Sequence, residues 1–95
     1  MYMAMTVVSK CTREKSPVSN LQLQKLLYLI QKESLVINDE PIFVDEIEAW
    51  RFGPIVPNVF FHFSGYGAMP IVMEYIVNEI SDDDKELIDD VVDRK

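Results

Sequence analysis

The side chains best suited to chemistry in this sequence are Cys11, His62 and the run Asp82-Asp83-Asp84. A nucleophilic thiolate needs an accessible, electropositive setting. Cys11 instead shares a helical apolar pattern with Ala4, Val7 and Val8 and reads as core; as the one cysteine it forms no internal disulfide. His62, set in Phe60-Phe61-His62-Phe63, has neither a second histidine nor a placed nucleophile to serve as general base, and reads as a surface residue. One Cys and one His do not supply the four ligands of a zinc site. The three aspartates lack the alternation and the glycine of a calcium loop. They read as the first turn of a helix, where the dipole favours acids. Gly65-Tyr66-Gly67 is a lone G-x-G with no strand before it, hence a turn rather than a phosphate loop. No catalytic, metal or cofactor site emerges, and the chain reads as a non-enzyme.

What remains is aromatic. Trp50, Arg51 and Phe52 stand directly before Gly53-Pro54. Two readings stand for them: both rings anchor the core and define the turn, or one projects with Arg51 as a hot spot for a partner protein. Hot spots favour Trp, Tyr and Arg in desolvated pockets. Tyr66 and Met69, near the second turn, would extend the same patch, methionine being adaptable at binding surfaces.

The elements that position these residues begin with a helix over roughly residues 2–14, broken at Ser16-Pro17. Ser19 is an N-cap with Gln22 completing a capping box, and Val18 pairs with Leu23 as a hydrophobic staple. The following helix carries two stripes: Leu23, Leu26, Leu27 and Ile30 on one side, and Leu21, Tyr28 and Leu35 on nearly the opposite side. Two stripes predict a helix sandwiched between neighbours, with Gln24, Gln31, Lys25 and Lys32 in the polar strips. Asn38-Asp39-Glu40-Pro41 ends it, and Ile42-Phe43-Val44 is an extended connector. Asp45 with Glu48 suggests another capping box, opening a short helix that Gly53-Pro54 stops. Pro57 suits the first turn of the next helix, which turns Val59, Phe60 and Phe63 inward until Gly65. Residues 68–80 fit a helix (Ile71, Val72, Tyr75, Ile76, Ile80) or an alternating strand (Ile71, Met73, Tyr75, Val77), and periodicity leaves both open. Ser81 starts a last helix with Leu87, Ile88, Val91 and Val92 on its apolar face. The pattern runs on unbroken to Asp93-Arg94-Lys95. The expected fold is mainly α: one compact domain over 1–95, with four to six helices, several short, and at most a minor extended bridge.

Charge narrows the partners. The sequence carries nine Lys and Arg against sixteen Asp and Glu, a net charge of −7. Residues 1–32 hold five basic groups and one acid, whereas residues 33–95 hold fifteen acids and four bases. This balance opposes duplex binding, which rests on cationic neutralisation of phosphates. It leaves an acidic surface that is solvated or turned to a basic partner. The apolar runs fall far short of the roughly 20 residues that cross a bilayer. The start Met1-Tyr2-Met3-Ala4-Met5 lacks the cationic region of a secretory leader. The expectation is a cytoplasmic protein without membrane contact.

Two segments carry a family resemblance: Leu23-Gln24-Lys25-Leu26-Leu27-Tyr28, and Ala49-Trp50-Arg51-Phe52-Gly53-Pro54-Ile55-Val56-Pro57-Asn58-Val59-Phe60, with Pro41-Ile42-Phe43 between them. In this order they resemble the Panacea domain, a bacterial and phage family that includes GepA-type phage-associated proteins and SocA-type antitoxins. The resemblance covers roughly residues 4–92. It implies a mainly helical fold, no known enzymatic activity, and an antitoxin that neutralises a cognate toxin by direct protein–protein binding. It also implies a mainly structural role for Leu23, Gln24, Lys25, Leu26, Leu27, Tyr28, Ala49, Gly53, Pro54 and Pro57. Family domains usually continue through a further helical portion, so the resemblance implies a domain truncated at its C-terminal end. The alternative function is a phage-associated DNA-binding transcriptional regulator, against which the net charge weighs.

Overall fold

The computed structural model describes residues 1–94. In chain order these form α1 (Tyr2–Arg13), α2 (Asn20–Asn38), β1 (Glu48–Trp50), β2 (Gly53–Ile55), α3 (Pro57–His62), a 3-10 turn (Ser64–Tyr66) and α4 (Asp82–Asp93). The fold is mainly α, with one small antiparallel hairpin. Its radius of gyration, 12.4 Å, matches the value of about 12 Å for a close-packed chain of this length.

α2 is the organising element, and its start is set locally. Ser19 Oγ accepts from the Gln22 amide at 3.3 Å while Gln22 Oε1 accepts from the Ser19 amide at 2.9 Å, a closed capping box. Val18 and Leu23 flank it, both buried. The helix ends where Asp39 takes a left-handed φ of +56°. Leu23, Leu26, Leu27 and Ile30 form the buried stripe against Ala4, Val7, Val8 and Cys11 of α1 and Ile88, Val91 and Val92 of α4. α4 is capped by Ser81, whose Oγ accepts from the Asp84 amide at 3.2 Å. Lys10 of α1 ties the two flanking helices together, its ammonium 3.3 Å from Asp93 and 3.6 Å from Asp89 as well as 2.6 Å from Glu14.

The structure corrects four expectations. The second stripe of α2 is not covered: Leu21, Tyr28 and Leu35 are 40%, 39% and 47% exposed. α2's neighbours cover the first stripe and its two flanks, Gln24 and Gln31 on one and Glu33 on the other, so the helix is central without being sandwiched. Gln24 is not in a solvated strip but buried. The segment 45–52 is not a helix, because Glu48–Trp50 pairs with Gly53–Ile55 in the register Glu48↔Ile55, Ala49↔Pro54, Trp50↔Gly53. Proline has no N–H, so Ala49–Pro54 must be the non-hydrogen-bonded pair, and a strand with a free edge tolerates it there. Finally, α3 ends at His62 and is not stopped by Gly65, which lies inside the 3-10 turn; the positive φ follows at Gly67 (+58°).

Residues 68–80 take neither helix nor a paired strand. Ile71 is buried and Tyr75 half-buried between exposed Val72, Glu74 and Ile76. This is the alternation of an extended chain, without a second strand beside it. Lys95 lies outside the described residues, so the unbroken pattern over Asp93-Arg94-Lys95 is followed only to Arg94, which caps α4.

Candidate partner-binding site

Two buried amides hold the hairpin and α3 onto α2. Gln24 Oε1 accepts from the Val56 amide at 2.8 Å, its Nε2 donates to Asn20 Oδ1 at 3.1 Å, and Asn20 Nδ2 donates to the Phe60 carbonyl at 2.9 Å. Both side chains are almost fully buried, and among the described residues no buried side-chain polar atom lacks a partner. The relay fixes both ends of α3, since Val56 is its N-cap and Phe60 lies in its last turn. One heptad later, Gln31 repeats the device: its Nε2 donates to the Phe43 carbonyl at 2.8 Å and its Oε1 accepts from the Ile42 amide at 2.9 Å. A primary amide thus presents the donor and acceptor that a neighbouring strand would present. Seven-residue spacing of two glutamines beside an apolar stripe was the available signal for these clasps; their glutamine type suggested solvent instead.

The clasped hairpin carries the aromatic patch. Arg51 and Phe52 form its two-residue tip with negative φ, and the reversal is completed by Gly53 at φ +113°. That is the arrangement in which the left-handed residue follows the two tip residues, and glycine bears it without a Cβ penalty. Trp50 is half-buried. Its ring meets Phe60 edge-on at 5.3 Å and Phe61 at 5.8 Å, and Phe60 meets Phe61 at 6.0 Å. Its Nε1 donates to Glu48 Oε1 at 2.8 Å. Phe61 and Phe52 remain 62% and 64% exposed, and the Arg51 guanidinium lies 5.8 Å from the centre of the Phe52 ring. A fixed tryptophan with two exposed phenylalanines and an arginine beside it is an apolar surface with a cationic edge.

Of the sequence-derived candidates, the hairpin unites Trp50, Arg51 and Phe52. Tyr66 is half-buried with its ring 6.2 Å from Phe63, on the core side of the 3-10 turn, while Met69 is exposed. Among the described residues no ring contact joins Tyr66 to the hairpin aromatics. Phe61 was not singled out from the sequence, because only its place beside Trp50 distinguishes it from its neighbours. Leu23, Gln24, Leu26 and Leu27 are buried, whereas Lys25 and Tyr28 face outward. His62 is exposed and Cys11 is buried in the core. Among the described residues no group of three His, Cys, Asp or Glu side chains is placed to hold a metal ion, and no helix is long and apolar enough to cross a membrane.

The small hairpin clasped across a central helix is thus the element shared by both sequence motifs. Residues 23–94 match the family described as antitoxin SocA-like, Panacea domain, and the chain belongs to that family. It is 42% identical over 64 residues to the antitoxin SocA of Caulobacter vibrioides (strain NA1000 / CB15N), a match covering 67% of this chain and 34% of that protein. The chain therefore spans about a third of the length of the curated relative it matches. No solved structure matches it.

Proposed function

We propose that this protein is an antitoxin that neutralises a cognate protein toxin by direct, stoichiometric contact, and that the patch of Trp50, Arg51, Phe52 and Phe61 is part of the contact surface. The observation that carries the reading is the family match over residues 23–94, which includes Gln24, Gln31 and the whole patch. Trp50 and Arg51 are of the residue types enriched among the hot spots of protein interfaces, and the exposed Phe52 and Phe61 add apolar area beside them. Met69, exposed after the following turn, extends the proposed surface, while Tyr66 supports that turn from the core side. The reading needs no catalytic group, and it places the activity in the cytoplasm, where the toxin would act.

Co-expression with the product of the adjacent reading frame tests it. The neighbouring product alone should arrest growth, and this chain should restore growth and co-purify with it at equal stoichiometry. A toxic neighbour that is neither rescued nor bound would overturn the proposal. The DNA-binding alternative gains no support from the surface, since α4 exposes Asp82, Asp83, Asp90 and Asp93, which repel phosphates.

A further inference from the structure

The segment 71–77 lies outside every helix and strand, yet its hydrogen bonds follow a strict alternation. The Ile71 amide donates to the Val18 carbonyl at 2.8 Å. Thr12 Oγ1 accepts from the Met73 amide at 3.2 Å and makes a long contact, 3.5 Å, to the Ile71 carbonyl. Ser9 Oγ accepts from the Tyr75 amide at 2.6 Å and faces the Tyr75 carbonyl at 3.4 Å. Two hydroxyls one helical turn apart on α1 thus stand in for a neighbouring strand. In an extended chain the N–H and C=O of one residue point to one side and those of the next to the other. The bonded main-chain groups of Ile71, Met73 and Tyr75 face α1 and the loop that follows it, so those of Val72, Glu74 and Ile76 face away. Among the described residues none of these outward groups has a hydrogen-bond partner. The side chains of Val72 and Ile76 are 63% and 93% exposed beside them.

We propose that Val72–Ile76 is an open strand edge that accepts an extended segment of a partner protein, with a basic residue of that segment opposite Glu74. Main-chain pairing would supply the affinity, as in other cases of strand addition to an exposed edge. The chemistry of the occupant follows from charge. Antiparallel pairing with a second copy, centred on Glu74, would set two glutamates face to face, which is destabilising. Glu79, Asp82 and Asp83 continue the acidic run along the exposed chain. A charge on a free edge guards it against self-association, and here the same charge selects a cationic strand. The edge is distinct from the Trp50 patch and does not depend on the antitoxin reading.

The test titrates the full, isotope-labelled chain with a nine-residue peptide of alternating threonine and valine bearing a central lysine, and with its central-glutamate counterpart. The lysine peptide should shift and protect the amides of Val72, Glu74 and Ile76, and leave Met73 and Tyr75 bonded as before. It should bind roughly two- to fivefold tighter than the glutamate peptide. Glu74→Lys, an exposed change that leaves the α1 contacts intact, should reverse that order. Ile76→Pro should weaken both peptides, since it deletes one outward donor. The proposal is overturned if neither peptide binds at millimolar concentration or if the shifts centre on Trp50 and Phe61. It is equally overturned if Glu74→Lys leaves the order unchanged, or if the free chain dimerises with protection of the same three amides.

Discussion

Gln24 and Val56 are joined by a 2.8 Å hydrogen bond across 32 positions of sequence. The bond links the helical motif to the hairpin motif and explains why the two belong together. Without Gln24 the Val56 amide would be buried with no acceptor, and the start of α3 would lose its place on α2. The family's paired motifs are in this light one object, a helix and the hairpin that it holds.

Gln24→Leu keeps the volume approximately and removes both bonds. It should cost about 2–3 kcal/mol, because the Val56 amide and the Asn20 oxygen are left unsatisfied in the interior. Denaturant unfolding measures this, and a loss under about 0.5 kcal/mol would mean that the amide reaches water.

Gly53→Ala and Gly65→Ala form a matched pair. A Cβ at either position meets no atom within 4 Å, but only Gly53 has a positive φ. Gly53→Ala should therefore destabilise by about 1–2 kcal/mol through backbone strain alone. Gly65→Ala should be neutral or slightly stabilising, since it removes freedom from the unfolded chain. Thermal unfolding of the two variants distinguishes them.

Trp50 and Phe52 should separate stability from binding. Trp50→Ala removes a half-buried ring that touches Phe60 and Phe61, and should cost roughly 1–3 kcal/mol. Phe52→Ala should leave the melting temperature unchanged while weakening capture of the toxin. Unchanged capture with Phe52→Ala would remove the hairpin tip from the proposed contact surface.

Ser9→Ala and Thr12→Val each delete a hydroxyl that accepts an amide of the 71–77 segment. Each should cost about 1 kcal/mol and speed hydrogen exchange at Tyr75 and Met73 respectively. The outward amides of Val72, Glu74 and Ile76 should exchange fast in the parent protein and be unaffected. Slow exchange there in the free chain would contradict the open edge.

Alkaline pH should loosen the same side of the molecule. The hydrogen bond to Glu14, with further help from Asp93 and against the opposing effect of burial, raises the Lys10 pKa above 10.5. Burial raises the Tyr75 pKa above 10.0. Each group holds its proton more tightly in the folded than in the unfolded chain. Their contribution to stability is therefore complete below about pH 10 and is lost as pH rises through the raised values. Lys10→Met and Tyr75→Phe should each flatten the fall in melting temperature above pH 10; an unchanged slope in both would exclude these groups as its cause.

The sequence alone determined whatever a few neighbouring residues decide. Ser19 with Gln22, and Ser81 before three aspartates, mark helix starts because a cap is satisfied within one turn. The buried stripe of α2 and the apolar faces of α1 and α4 are legible for the same reason, one helical period at a time. Tertiary structure decided the rest. Asp45, Glu48 and Gly53-Pro54 carry the local signs of a short capped helix, but strands of three residues are too short to show alternation. Their pairing is fixed by Gln24 and α3 from a distance. Gln24 and Gln31 looked solvated by type and are clasps by position. Whether the Leu21, Tyr28, Leu35 stripe is covered depends on the direction from which neighbours approach, and a helical period carries no record of that. The 71–77 segment is extended because Ser9 and Thr12, some sixty residues earlier, accept its amides. Hydrogen bonds over such separations are set by packing, and no local pattern encodes them.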